Sequence, residues 1–399
     1  MIVFQAANRV HTIEYSPVLQ FMQYAKEVEA QGKEIIPLHL GDPAKFGFQP
    51  PEHVKQALSE AVKKDYNMYS PSEGLQELRE AICEKERIIN GVKITPEDVI
   101  VTSGVSEGIL MLMAAMIDGR SEVLLPGPTY PPYYSYVKFF GGKAILCRVI
   151  EENGWYPDLD DIRSKVTDAT KAIVIINPNN PSGFVYDEKI LKEIIDIAGE
   201  HKLLVVSDEI YDRFTYEKPF VSTSTVASDV PVVGLNGFSK VYCMTGWRLG
   251  YLYFYDPEDK LTELKEGIRK QATMRLCAST PIQKAAIAAL RGPQDHIKTM
   301  VRKLRQRRDY ACKRLNEIEE VNCVKPEGAF YVFPKVDYGS RWKNDIQFVF
   351  DVFRKTGILL SPGSRFGRIY ADHFRAVFLP PIETLRRVFD QLESILRRK

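Results

Sequence analysis

Histidine and cysteine are scarce in this chain and badly spaced for metal chemistry. The 6 histidines include no HxxxH pair, and Cys83, Cys147, Cys243, Cys277, Cys312 and Cys323 include no CxxC pair. Neither a metal site nor a disulfide framework is therefore expected. Scattered thiols of this kind read as reduced and partly buried, which fits a cytoplasmic protein. A surplus of one charge is also missing. The 54 Lys and Arg residues face 52 Asp and Glu, leaving +2 over 399 residues. That balance argues against a dedicated nucleic-acid surface. The basic end, Arg397 to Lys399, is short and reads as a solvated helix terminus. Long apolar runs are absent as well. The stretch near Ile109–Ile117 is the longest, far below the roughly 20 residues that span a bilayer. Residues 1–10 show no secretory pattern, and the chain carries no repeat or low-complexity linker.

What the chain does have is alternation. Short apolar strands are predicted at Val99–Thr102, Glu122–Leu125, Ala144–Val149, Ala172–Ile176, Leu203–Ser207, Val232–Leu235 and Leu249–Phe254. Between several of them lie helical patterns, at Leu75–Ile89, Ile109–Ile117 and Glu188–His201. That order predicts an α/β fold with a mostly parallel wound sheet covered on both faces. After Gly292-Pro293 the character changes. A long charged helix (Gln294–Ile318), short strands near Ala329–Phe333 and Gly357–Leu360, and a helix from Ile382 predict a smaller α+β domain. The expected boundaries are 1–48 for an N-terminal segment joining the small domain, 49–291 for the large domain and 292–399 for the small one. A ligand is expected in the cleft between them.

The chemistry is concentrated in four segments. Lys240 sits among Phe238, Val241 and Tyr242, an apolar setting that disfavours its charge and makes it a usable amine nucleophile toward an aldehyde. Arg248, in Thr245-Gly246-Trp247-Arg248-Leu249-Gly250, offers a planar donor fork suited to phosphate. A snorkelling lysine and a surface arginine are the plainer reading of the same residues. Asp208, in Ser207-Asp208-Glu209-Ile210-Tyr211, is an acid at the carboxyl end of a buried strand. It is badly placed for a core but well placed for a pyridinium nitrogen. Asn177-Pro178-Asn179-Asn180-Pro181-Ser182-Gly183 is a turn at another strand end, and Ser103-Gly104-Val105-Ser106 opens a helix whose free N–H groups form an anion site. The latter lacks Walker spacing.

Together, NPNNPSG, SDEIY, FSK followed by TGWRLG, and PEGAFYVFP occur in one order and resemble the class I/II, fold-type I, pyridoxal-phosphate aminotransferases from Gly41 to the C-terminus. The resemblance implies that Lys240 holds pyridoxal 5'-phosphate as an imine and moves the α-proton, while Asp208 keeps the pyridine nitrogen protonated. It implies that Tyr211 and Asn180 meet the phenolic oxygen and that Tyr130 stacks on the ring. Arg248, Ser106, Ser239 and the backbone at Gly104 and Val105 would hold the phosphate, with Tyr69 reaching it from the other subunit of a homodimer. Arg375, assisted by Asn180 and the Gly41 backbone, would grip the α-carboxylate. Arg275 falls where a partner's arginine meets a distal carboxylate, though it also reads as a plain helix arginine. Gly237 departs from the family, many of whose members carry a phosphate-binding serine there.

The stretches Leu40–Phe46 and Phe374–Ile382 are most similar to archaeal alanine aminotransferases. The implied reaction is alanine plus 2-oxoglutarate giving pyruvate plus glutamate, by a ping-pong route. Aspartate or aromatic amino acids are the alternative substrates. A cystathionine β-lyase or a non-enzymatic cofactor-binding regulator could use the same scaffold.

Overall fold

The computed structural model describes residues 4–15 and 17–397, so Arg398 and Lys399 of the basic C-terminal run lie outside the described residues. Seven strands organise the molecule: β1 (Val99–Thr102), β2 (Glu122–Pro126), β3 (Lys143–Cys147), β4 (Thr170–Ile176), β5 (Leu204–Asp208), β6 (Val232–Gly237) and β7 (Gly250–Tyr255). They form one sheet in the order β1-β7-β6-β5-β4-β2-β3. The run from β3 to β6 is parallel, and β7 is antiparallel to both its neighbours.

Burial on both faces explains the unbroken apolar strands. In β4, Ala172, Val174 and Ile176 pack on one side with Ile109 and Leu112 of the helix Val105–Met116. Ile173 and Ile175 pack on the other with Ile190, Leu191 and Ile194 of the helix Glu188–Glu200. The period-two alternation that places them is invisible in hydropathy, because both faces are apolar. No described helix is long and apolar enough to cross a membrane.

The second sheet is small: β8 (Tyr331–Val332), β9 (Ser361–Pro362) and β10 (Phe374–Val377), with β10 in the middle and antiparallel to both. The predicted strand at Gly357–Leu360 makes only a bridge, Ile36 to Ile358, and regular pairing begins at Ser361. Residues 36–39 run alongside, since Leu359 N donates to Ile36 O and Val377 N to Leu38 O, both at 2.9 Å. The helices Asp295–Asn316 and Ile382–Arg397 are tied through Arg314, whose Nη2 lies 2.9 Å from Asp390 Oδ1. The carboxyl ends of β4 and β5 face this second unit, so a cavity opens at the mouth of the parallel sheet.

Candidate active site

A cavity of about 410 Å³ lies there. Its wall takes Asn180 from the turn after β4, Asp208 from the tip of β5, Ser239 and Lys240 from the turn after β6, and Arg375 from β10. Gly41, Val105, Ser106, Tyr130, Tyr211 and Arg248 complete the part that the sequence foresees.

Asp208 is 2% exposed, and burial raises its carboxyl to about 6. Tyr133 OH donates to its Oδ2 at 2.9 Å and Ile210 N to its Oδ1 at 3.3 Å, both of which favour the charged form. A cation arriving at this carboxylate would relieve the cost of its burial.

Lys240 answers it across the cavity. Burial, then the nearby Arg375 charge, lowers its amine to about 8. Nζ donates to Gly41 O at 2.6 Å, so a carbonyl rather than a carboxylate is its hydrogen-bond partner. A neutral amine is thus accessible near physiological pH.

Arg248 closes the opposite end. It has φ 56°, a left-handed conformation that costs a non-glycine residue about 1–2 kcal/mol. That turn aims its fork across Gly104, where a Cβ would lie 2.6 Å from Arg248 Nη2. Gly104, at φ 87°, caps the 12-residue helix Val105–Met116. The guanidinium and the first helical N–H groups therefore converge on one spot. Gly237 pairs with Gly250, and a Cβ there would meet Gly250 Cα at 2.9 Å. A serine at 237 would crowd that strand pair, whereas Ser239 lines the cavity.

Arg375 is 7% exposed. Its Nη1 donates to Asn180 Oδ1 at 2.9 Å, its Nη2 donates to His39 O, and its guanidinium lies 4.5 Å from the Tyr331 ring centroid. The neighbouring asparagines turn elsewhere: Asn177 bonds Val221 O, and Asn179 Oδ1 accepts from Ser182. Only Asn180 of the three lines the cavity.

Two expected residues are not brought to this cavity by their own chain. Tyr69 is 77% exposed, on a loop held by Thr280 Oγ1 donating to Met68 O at 2.7 Å. Arg275 Nη2 donates to Ser72 O and Val101 O, and Nη1 lies 3.3 Å from Glu107 Oε2. Other residues were missed. Tyr133 reaches Asp208, and Tyr331 OH meets Tyr211 OH at 2.7 Å. Thr245 Oγ1 donates to Asp42 Oδ1 at 2.7 Å, at the cavity edge. The spacing of Tyr130 and Tyr133, one helical turn apart, carried a signal for the first. Tyr331 stood inside PEGAFYVFP, with nothing local to mark it out.

The donor set suits a phosphorylated aromatic aldehyde. Arg248 and the helix start offer an anion site, Lys240 offers an amine, and Asp208 offers a buried carboxylate for a ring nitrogen. The comparisons with known proteins agree. The family profile "Aminotransferase class I and II" matches residues 33–392. An alanine aminotransferase of Mycobacterium tuberculosis is 37% identical over 382 residues, covering 94% of this chain and 88% of the relative. The glutamate-pyruvate aminotransferase AlaA of Escherichia coli K12 is 36% identical over 388 residues, covering 96% and 95%. The solved structure of alanine aminotransferase from Pyrococcus furiosus superposes with a TM-score of 0.96 at 52% identity, covering 99% of this chain and all of that one. Full-length similarity at this level, with that donor set in one cavity, makes the chain a member of the class I and II aminotransferases, fold-type I enzymes that use pyridoxal 5'-phosphate.

Proposed function

We propose that this aminotransferase exchanges the amino group between L-alanine and 2-oxoglutarate, yielding pyruvate and L-glutamate in two alternating half-reactions. The observation that carries the amino-acid reading is the buried Arg375–Asn180 pair in the same cavity as Lys240. The choice of alanine is supported by the names of the relatives.

Bound pyridoxal phosphate supplies an electron sink for charge developing at the substrate's α-carbon. Arg375 binds the α-carboxylate, with Asn180 Oδ1 and His39 O fixing the plane of its fork. Lys240 Nζ, whose basicity burial and the Arg375 charge reduce, takes the α-proton and returns it. Asp208 holds a negative charge at the sheet end, steadied by Tyr133. Arg248, Ser106, Ser239 and the backbone at Gly104 and Val105 would hold the phosphate. Tyr130, Tyr211 and Tyr331 line the same cavity and would face the cofactor ring.

The working unit is a homodimer on this reading. Exposed Met68, Tyr69, Met274 and Leu276 share one surface, because Arg275 bonds Ser72 and Thr280 bonds Met68. Tyr69 would then serve the partner's cavity, with Arg275 behind the same surface. Division at 1–48, 49–291 and 292–399 is supported by residues 36–39 lying along the small sheet. Six unpaired cysteines favour a cytoplasmic setting.

The test is the visible spectrum of the holoenzyme during additions of L-alanine, L-aspartate, L-tyrosine and cystathionine. Alanine should bleach the yellow band and pyruvate should restore it. Bleaching by aspartate or tyrosine alone would remove the alanine assignment, and release of ammonia from cystathionine would point to elimination. An enzyme fully active as a monomer would overturn the shared site.

A further inference from the structure

A second hollow, of about 270 Å³, lies behind Tyr130. Pro131, next to Tyr130 in the chain, lines it together with Arg365 and Phe366. Thr12, Glu14 and Tyr15 of the N-terminal segment line it too. No residue lines both this hollow and the main cavity, but their linings touch. The Phe366 ring centroid is 4.8 Å from the Arg375 guanidinium, and Thr129 N donates to Phe366 O at 3.0 Å. Arg365 thus stands one residue from the ring that supports the α-carboxylate arginine.

One nitrogen of Arg365, the buried Nη1, is left without a hydrogen-bond partner among the described residues. Burial, then the Arg375 charge, pulls its guanidinium below its ordinary value. His39 feels the same field: burial, then Arg375, Lys45 and Arg365, lowers its imidazole to about 4, so it stays neutral. The carboxylate that faces Arg365 is Glu14. That side chain is 82% exposed and lies 3.5 Å from Arg368. Three cations, Lys138, Arg365 and Arg368, line the hollow against the single carboxylate of Glu14, a surplus that an anionic ligand would offset.

Alanine brings one carboxylate, which Arg375 receives. Glutamate and 2-oxoglutarate bring two. We propose that Arg365 binds the distal carboxylate of the five-carbon dicarboxylic substrate, in the hollow beside the α-carboxylate site. The inference rests on the glutamate half of the proposed reaction. It explains how one cavity serves both substrates, since an alanine methyl leaves the hollow to water. It also places the second carboxylate site within one chain, whereas Arg275 is already bonded to Ser72 O and Val101 O.

The experiment uses the holoenzyme and two unreactive probes, glutarate with two carboxylates and butyrate with one, titrated by calorimetry. Glutarate should bind the unsubstituted enzyme more tightly than butyrate. In Arg365→Met it should weaken about tenfold or more, as expected for a lost charge-assisted pair, with butyrate held within about twofold. Arg365→Gln, which keeps length and polarity, gives the same comparison if the methionine variant fails to fold. Equal weakening of both probes, no weakening of either, or loss of the glutarate preference in Arg275→Met alone would overturn the proposal. Failure of the unsubstituted enzyme to react with alanine would remove the alanine assignment instead, and the probe comparison would still decide Arg365.

Discussion

Lys85 and Lys240 are both lysines drawn into the protein interior, yet their charges move in opposite directions. Lys85 projects from the helix Gln76–Ile89 with its side chain 11% exposed, 2.9 Å from Glu86 Oε1 and 2.5 Å from Asp212 Oδ2. Burial alone would lower its amine, but Asp212 and Glu86 outweigh burial and hold it above its ordinary value. Asn90 donates to both carboxylates, Tyr251 to Glu86 and Asn236 to Asp212. Lys240 meets a carbonyl, has Arg375 close by, and drops to about 8. Burial is common to the two sites and so does not separate them. The partners do. A lysine locked between carboxylates stabilises structure, while one bonded to a carbonyl beside a like charge is ready to react.

The most severe way to press this contrast is Lys240→Ala. Transamination should fall by about 10⁴-fold or more, and pyridoxal phosphate should become removable by dialysis, as single-turnover spectra would record. Retention of near-normal rates would end the assignment of Lys240. Lys85→Met should do the reverse. It strands two buried carboxylates at a cost of about 3–5 kcal/mol, seen as a lower melting temperature of the holoenzyme, while kcat of the folded fraction stays unchanged. A loss of kcat at full stability would break the comparison.

Asp208→Asn comes next. Loss of the carboxylate at the cavity should slow turnover by about 10²- to 10³-fold, the scale of other charge-stabilising groups. The melting temperature of the cofactor-free chain should hold or rise, because a buried charge has gone.

The smallest effect is in pH. In the cofactor-free chain, labelling of Lys240 by an amine-reactive reagent should climb as pH passes about 8, since only the neutral amine reacts. Lys85 should stay unlabelled there. Arg375→Met removes a like charge, so the Lys240 midpoint should move upward; a downward shift, followed by mass spectrometry, would contradict the stated cause.

Much of this was legible in the chain. The seven large-sheet strands lie within a few residues of their predicted positions, because four to seven apolar residues between turn signals have few other uses. The helix read as opening at Ser103–Ser106 begins at Val105, ahead of the apolar run at Ile109, because Gly104 caps it and Val105–Gly108 form its first turn. Asp208 and Lys240 were readable because each is a charge in an apolar setting. Arg365 was not. Ser361-Pro362-Gly363-Ser364-Arg365 looks like a surface turn, and the hollow it lines is closed by the N-terminal segment and by residues 129–138, both remote in sequence.

The sequence by itself determined the fold class, the positions of the strands along the chain and most of the polar groups that meet in the cavity. Local patterning and residue type carry those properties. The tertiary structure decided which charges are paired. It gave Lys85 to Asp212 across 127 residues of chain and left Lys240 with Gly41 O across 199. It also set Arg375 between Asn180 and Phe366, and Arg365 beside a hollow with its Nη1 unpartnered among the described residues. Proton affinity follows the neighbours within a few ångströms, and those neighbours are chosen by folding rather than by position in the chain.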